Sequence, residues 1–218
     1  MKILSFSDIH GDIKHFKKIS DELVDADLVV LVGDITHFGK GTEISKVLGE
    51  IRKYNKNIVG VSGNCDFPEV EKVLTLEGVS LHAKSKFIDE LFFAGCGHSL
   101  VTPFNTPCEV YENDLSAYIN KAYSNHMGEE SVLIVHQPPY DSNTDILKNG
   151  GPSGSKEVRN FIKTKKPLLC LTGHIHESPA IEHFFETVLI NPGPFFDGRY
   201  AFVKINKNEV VEAIIKKT

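Results

Sequence analysis

The feature that most constrains this chain is a threefold alternation running from its first residues through Val61. Lys2 to Ser7, Asp27 to Val32 and Asn57 to Val61 are apolar runs of strand length, and the stretches between them carry apolar residues at helical spacing. In Asp12 to Leu23 these are Ile13, Phe16, Ile19 and Leu23; in Thr42 to Tyr54 they are Ile44, Val47, Leu48 and Ile51. A strand that is apolar along its length needs cover on both faces, and strands joined by helices of this size run parallel. The pattern predicts an α/β fold in which ligands gather where the strands end.

Downstream the pattern loosens. Val79 to Phe93 reads as short strands and turns, and a long loop passes through Thr102 to Pro107. Val110 to Met127 reads as a helix, Ser131 to Val135 as a buried strand, and Lys156 to Lys163 as a helix behind a flexible Gly150–Gly154 segment. Leu168 to Leu171 is a further strand, and Ile181–Phe185, Val188–Ile190, Tyr200–Ile205 and Val210–Ile215 predict hairpin-linked antiparallel strands. With no repeat, low-complexity tract or linker, residues 1–218 are expected to form one domain.

Charge and cysteine usage narrow the class of partner. The net charge is -5 with no basic block before the last few residues, which argues against duplex nucleic acid and acidic membranes. Cys65, Cys96, Cys108 and Cys170 are scattered without metal or disulfide spacing and read as reduced thiols. No apolar stretch reaches membrane-spanning length, and the chain enters a strand directly without a signal-peptide pattern, so a cytoplasmic location is expected.

The polar residues that follow the apolar runs have one chemistry. They are Asp8 and His10, then Asp34, then Asn64, then His136, then His174 and His176. Each strand-end loop thus supplies a carboxylate, an amide oxygen or an imidazole, all of them donors to divalent metals, and no thiolate is required. Asp8 and His10 are two apart, which on an extended chain places them on one face.

In that order, Asp8-x-His10, Gly33-Asp34, Gly63-Asn64, His136 and Gly173-His174-x-His176 resemble the motifs of the calcineurin-like metallophosphoesterase superfamily, from the first residue to at least Gly193. Gly63-Asn64-Cys65-Asp66, Gly95 to Pro107 and Asn191-Pro192-Gly193 resemble a branch of small bacterial and archaeal phosphodiesterases. The resemblance implies a four-layer αββα sandwich of mixed sheets flanked by helices, with a metal site at the carboxyl ends of the strands. It implies hydrolysis of a small phosphoester, with a phosphodiester favoured. A phosphomonoesterase or nucleotide phosphatase of the same fold, and a protein-binding scaffold without catalysis, are the alternatives. The chain itself is compatible with a monomer or a homodimer.

By the same resemblance the site holds two divalent transition-metal ions, manganese foremost, with iron, nickel or zinc compatible. One is held by Asp8, His10 and His176, the other by Asn64, His136 and His174, with Asp34 bridging. A metal-bridging hydroxide would attack phosphorus in line, and Asp34, Asn64, Cys65 and His174 would carry the catalysis. Two divalent ions less two aspartates and one hydroxide leave a net positive charge, so an acidic protein can still attract phosphate.

Several positions call for separate expectations. The family usually has histidine where Cys65 stands; a thiol is a weak proton donor, which favours diesters and activated aryl esters over simple monoesters, although Cys65 also suits plain packing in its loop. His37 stands where the family often has a second acid, and is read as an ordinary loop residue. Asp12 and Asp66 are read as N-caps, Asp12 for the helix that follows it and Asp66 for one beginning near Pro68. The Thr102–Pro107 loop, with His98, suits either a wall of the substrate pocket or a simple connection.

Overall fold

The computed structural model describes residues 1–218, and its layers follow from how β1 (Lys2–Phe6) divides its side chains. Leu4 and Phe6 face one core and Ile3 another, because successive residues of a strand point to opposite sides. The chain continues through α1 (Ser20–Asp25), β2 (Leu28–Val32), α2 (Gly41–Ile51), β3 (Ile58–Val61), α3 (Pro68–Leu76), β4 (Lys84–Ile88) and β5 (Leu91–Cys96). Then come β6 (Ser99–Leu100), β7 (Glu109–Val110), α4 (Glu112–Ala122), β8 (Ser131–Val135), α5 (Lys156–Lys165) and β9 (Leu169–Leu171). Four strands finish it: β10 (Ala180–Phe184), β11 (Thr187–Asn191), β12 (Arg199–Asn206) and β13 (Glu209–Lys217).

Two mixed sheets result, ordered β13-β12-β1-β2-β3 and β10-β11-β9-β8-β5-β4. In the first, β1, β2 and β3 are parallel and β12 joins β1 antiparallel, Ile3 opposite Val203. In the second, β5, β8, β9 and β11 are parallel, and β4 and β10 close its edges antiparallel. Ile3, Val30, Val32, Val59 and Val61 from one sheet meet Phe93, Val132, Ile134 and Leu171 from the other. Leu4, Phe6, Val29 and Leu31 pack outward on α2 and α3, while Phe92, Leu133, Val135 and Cys170 pack outward on α4 and α5. This is the αββα sandwich. No helix is long and apolar enough to cross a membrane.

Several local expectations are corrected. Asp12 to Leu23 is not one helix: a 3-10 turn over Phe16–Ile19 precedes α1. Phe16 packs edge-on to Phe6, ring centroids 5.3 Å apart, and that seat in the core delays the helix. Asp12 accordingly caps no helix; its carboxylate accepts from Lys14 N at 3.2 Å and pairs with the Lys14 ammonium. α4 stops at Ala122 rather than Met127, where the Tyr123 ring turns into the core and leaves helical geometry. The Gly150–Gly154 segment is tied down, because the buried Asp145 carboxylate accepts from Gly154 N at 2.9 Å as well as from Asp141 N and Ser142 N.

Candidate metal centre

The carboxyl ends of β1, β2, β3, β8 and β9 lie together, and their loops are stitched to one another by backbone hydrogen bonds. Asp8 N donates to Gly33 O (3.1 Å), His10 N to Asp34 O (2.9 Å), and Gly173 N to His136 O (3.1 Å). Asp8 and His10 lie beyond the end of β1, so the strand pleat does not bring them together. Left-handed backbone does: φ is 52° at Asp8, 48° at His10, 47° at Asp34 and 67° at His174. A non-glycine residue held there costs on the order of 1–3 kcal/mol, a strain concentrated where function sits. Gly63 is needed for a different reason, since a Cβ there would run into the Asp34 carboxylate.

All seven sequence-predicted donors arrive in one region. Candidate ligand atoms of Asp8, His10 and His176 lie within 4.8 Å of one another, and so do those of Asp34, His136 and His174. Asp34 also groups with His10 and Cys65 at the same separation, which places it between the two sets. His176 Nε2 is 3.2 Å from Asp8 Oδ1, and His10 Nε2 is 3.9 Å from Asp34 Oδ2. His136 donates from Nδ1 to Val32 O at 2.7 Å, which leaves Nε2 facing Asn64 Oδ1 at 3.1 Å and Asp34 Oδ1 at 3.5 Å. Cys65 lines the same cleft, and its backbone N donates to Asp34 Oδ1 at 2.7 Å.

Other residues orient this centre, a role the sequence did not assign to them. Ser7 donates its hydroxyl to Asp8 Oδ2 at 2.5 Å, and His174 N donates to the same oxygen at 3.1 Å. Asp66 is not a helix cap: α3 begins after Phe67, and the fully buried Asp66 carboxylate accepts from Ile35 N, Thr36 N, the Thr36 hydroxyl and Gly63 N at 2.7–3.1 Å. It thereby clamps the loop after β2 to the loop after β3. Glu109 accepts from Thr106 Oγ1 at 2.6 Å, and Thr106 Oγ1 accepts from Asn64 Nδ2 at 2.9 Å. Because the hydroxyl proton goes to the carboxylate, the Asn64 NH₂ must point at Thr106 and its carbonyl oxygen at the centre. Only the glycines and the strand-end position of Asp66 lay in view from the sequence.

His37, His98 and the Thr102–Thr106 loop are placed as follows. His37 is exposed, with Nδ1 3.4 Å from His10 Nδ1. The Thr102–Thr106 loop forms one wall of the cleft, whereas His98 sits behind it against His82, ring centroids 4.5 Å apart.

The electrostatics describe a hole for cations. Asp8 and Asp34 are buried, and no Lys or Arg lines the cleft. Burial works to raise the Asp34 carboxyl, but the charge of His136 and its hydrogen bond outweigh it and hold the group well below the usual carboxylate range. Burial opposes protonation of His136 as well, yet Asp34 brings it up to about 9. Burial pushes His174 down to about 4, keeping its imidazole neutral. The Cys65 thiol is pushed up by burial and then by the Asp34 charge, so it stays protonated. The donor set fits divalent metals: two buried carboxylates need positive charge beside them, and His10 Nε2 is buried with no hydrogen-bond partner. A depression of similar size, about 680 Å³, lies at the amino ends of β2 and β3 and has no comparable cluster.

Comparisons with known proteins agree with this geometry. The calcineurin-like phosphoesterase superfamily domain matches residues 1–206. MJ1162, an uncharacterised protein of Methanocaldococcus jannaschii, is 36% identical over 219 residues, covering 97% of this chain and 95% of its own. TT1561 of Thermus thermophilus has the same fold with a TM-score of 0.75 at 18% identity, over 99% of this chain and 98% of its own. A solved structure described as a novel archaeal phosphodiesterase gives a TM-score of 0.56 at 17% identity, over 99% of this chain and all 100% of its own. With the family match running through every one of the seven donor positions, the chain belongs to the calcineurin-like phosphoesterase superfamily.

Proposed function

We propose that residues 1–218 act as one hydrolase domain that cleaves a small phosphoester in the cytoplasm and prefers diesters. In this reading Asp8, His10 and His176 surround one divalent cation, Asn64, His136 and His174 surround a second, and Asp34 is shared between them. The observation that carries it is the meeting of two three-donor clusters around Asp34, with the orphaned His10 nitrogen aimed into the gap. The cations would supply Lewis-acid chemistry, activating water and offsetting phosphoryl charge. Nitrogen and oxygen donors without a thiolate suit manganese, iron, nickel or zinc and do not choose among them; manganese is the proposed ion on the family resemblance.

The chain's own residues do the positioning. Val32 O fixes the His136 tautomer, and Ser7 and His174 N fix the Asp8 carboxylate, so the donors are held before substrate arrives. Cys65, kept as a thiol, gives a leaving oxygen at most a weak hydrogen bond. A leaving group that requires a proton therefore gains little of the hundredfold to roughly ten-thousandfold that general-acid help supplies, and activated diesters lose least by its absence. Rates on a matched aryl diester and alkyl monoester test the preference. The diester is expected to turn over faster, and a faster monoester contradicts the reading.

A further inference from the structure

The cleft over the candidate centre is larger than a phosphate needs, about 620 Å³. Outside the candidate donors, the one acidic side chain lining it is Glu177, and no Lys or Arg lines it. Its outer wall is apolar and open: Phe104 is 82% exposed, Val101 57% and Phe38 46%. Large exposed apolar residues are ordinary when scattered, but these gather at the mouth of one cleft.

Phe104 is carried on a braced loop. Its backbone N donates to Thr102 Oγ1 at 3.1 Å, and Glu109 accepts from both the Thr102 and Thr106 hydroxyls. Phe38 is held in left-handed backbone, φ 54°, just after His37. A polyphosphate or a nucleic-acid strand would bring a second phosphate toward Glu177 with no Lys or Arg to receive it. An uncharged ring would instead cover exposed aromatic surface, which rings do with favourable edge or offset geometry.

We propose that this cleft selects phosphodiesters whose non-leaving substituent is a flat, uncharged aromatic group seated against Phe104 and Phe38. The inference rests on the hydrolase reading above and names the substrate class that reading leaves open. It assigns Phe104 and Phe38 to substrate recognition, away from the reacting atoms.

The test keeps the leaving group constant. Methyl, cyclohexyl and phenyl esters of p-nitrophenyl phosphate share p-nitrophenolate, so differences in kcat/KM read the retained substituent. The phenyl ester is expected to exceed the methyl ester by about tenfold, and to exceed the cyclohexyl ester, as aromatic contact beyond plain apolar burial requires. Phe104→Ala should lower the phenyl-to-methyl ratio at least about threefold, the share of that contact one ring supplies. Both phenylalanines are exposed, and a thermal melt shows whether the variants remain folded. Equal rates for phenyl and methyl, cyclohexyl equal to or better than phenyl, or a ratio that survives in the Phe38→Ala/Phe104→Ala double variant would overturn the inference. No turnover of any of the three esters removes the hydrolase reading and this inference together; turnover without a phenyl preference removes the inference alone.

Discussion

At the scale of single residues, Asp66 shows how much of the centre depends on a side chain that touches no candidate ligand position directly. Its carboxylate accepts four hydrogen bonds from residues 35, 36 and 63 while fully buried, and burial together with the Asp34 charge raises it to about 6. Asp66→Asn would turn an NH₂ toward backbone N–H groups of Ile35, Thr36 and Gly63 that the carboxylate now satisfies, and should cost about 3 kcal/mol of stability in a urea titration. A loss below about 1 kcal/mol would show that the clamp is dispensable. The sequence pointed elsewhere because Asp66 stands two residues before Pro68, where an N-cap is the ordinary local reading. Three of its four hydrogen bonds come from Ile35 and Thr36, some thirty residues away, and nothing local announces them.

At the scale of elements, the loop between β6 and β7 sets the direction of the Asn64 amide through Thr106 and Glu109. Thr106→Val keeps the shape and deletes the hydroxyl, leaving the amide free to turn its NH₂ toward the centre. Metal affinity at the Asn64 position should fall by about 10- to 100-fold, the usual effect of removing a group that orients a ligand, with Thr106→Ser retaining most of it. Calorimetric titration with Mn²⁺ reads both, and equal affinities for wild type and Thr106→Val would refute the role. The turn after β5 makes a separate prediction. His82 accepts from Gly97 N at 3.0 Å, His98 Nδ1 is buried without a partner, and burial pushes both down to about 4. An unfolded histidine titrates near about 6.5, so between that pH and about 4 the unfolded chain binds protons the folded chain refuses. Stability should therefore fall as pH drops through this window, and His98→Gln should flatten part of the fall. Identical urea midpoints against pH for both proteins would contradict it.

At the scale of the whole molecule, the alternation of strands and helices was legible from two periodicities, while the two-sheet sandwich was what the family resemblance implied. β2 is buried at all five positions and its sequence is apolar at all five, so its two covered faces could be read directly. The second sheet was harder, because β4 is an exposed edge strand with Lys84 and Lys86, and α4 ends where Tyr123 finds a core seat that no periodicity encodes. The seven candidate donors were legible because each follows an apolar run, and their gathering at the strand ends was expected; the left-handed turns at Asp8, His10, Asp34 and His174, which do the work that strand pleat was expected to do, were not.

The two-cation phosphoester-cleaving centre proposed on Asp34 makes turnover depend on bound metal. That dependence is tested most directly by the turnover of an aryl phosphodiester by metal-stripped protein as Mn²⁺ is added back, with Asp34→Asn run in parallel. Turnover should be absent without metal, recover to saturation at two equivalents per chain, and fall at least about a thousandfold in Asp34→Asn, as expected when electrostatic stabilisation of the transition state is dismantled. Turnover that is indifferent to metal, or undiminished in Asp34→Asn, would contradict it.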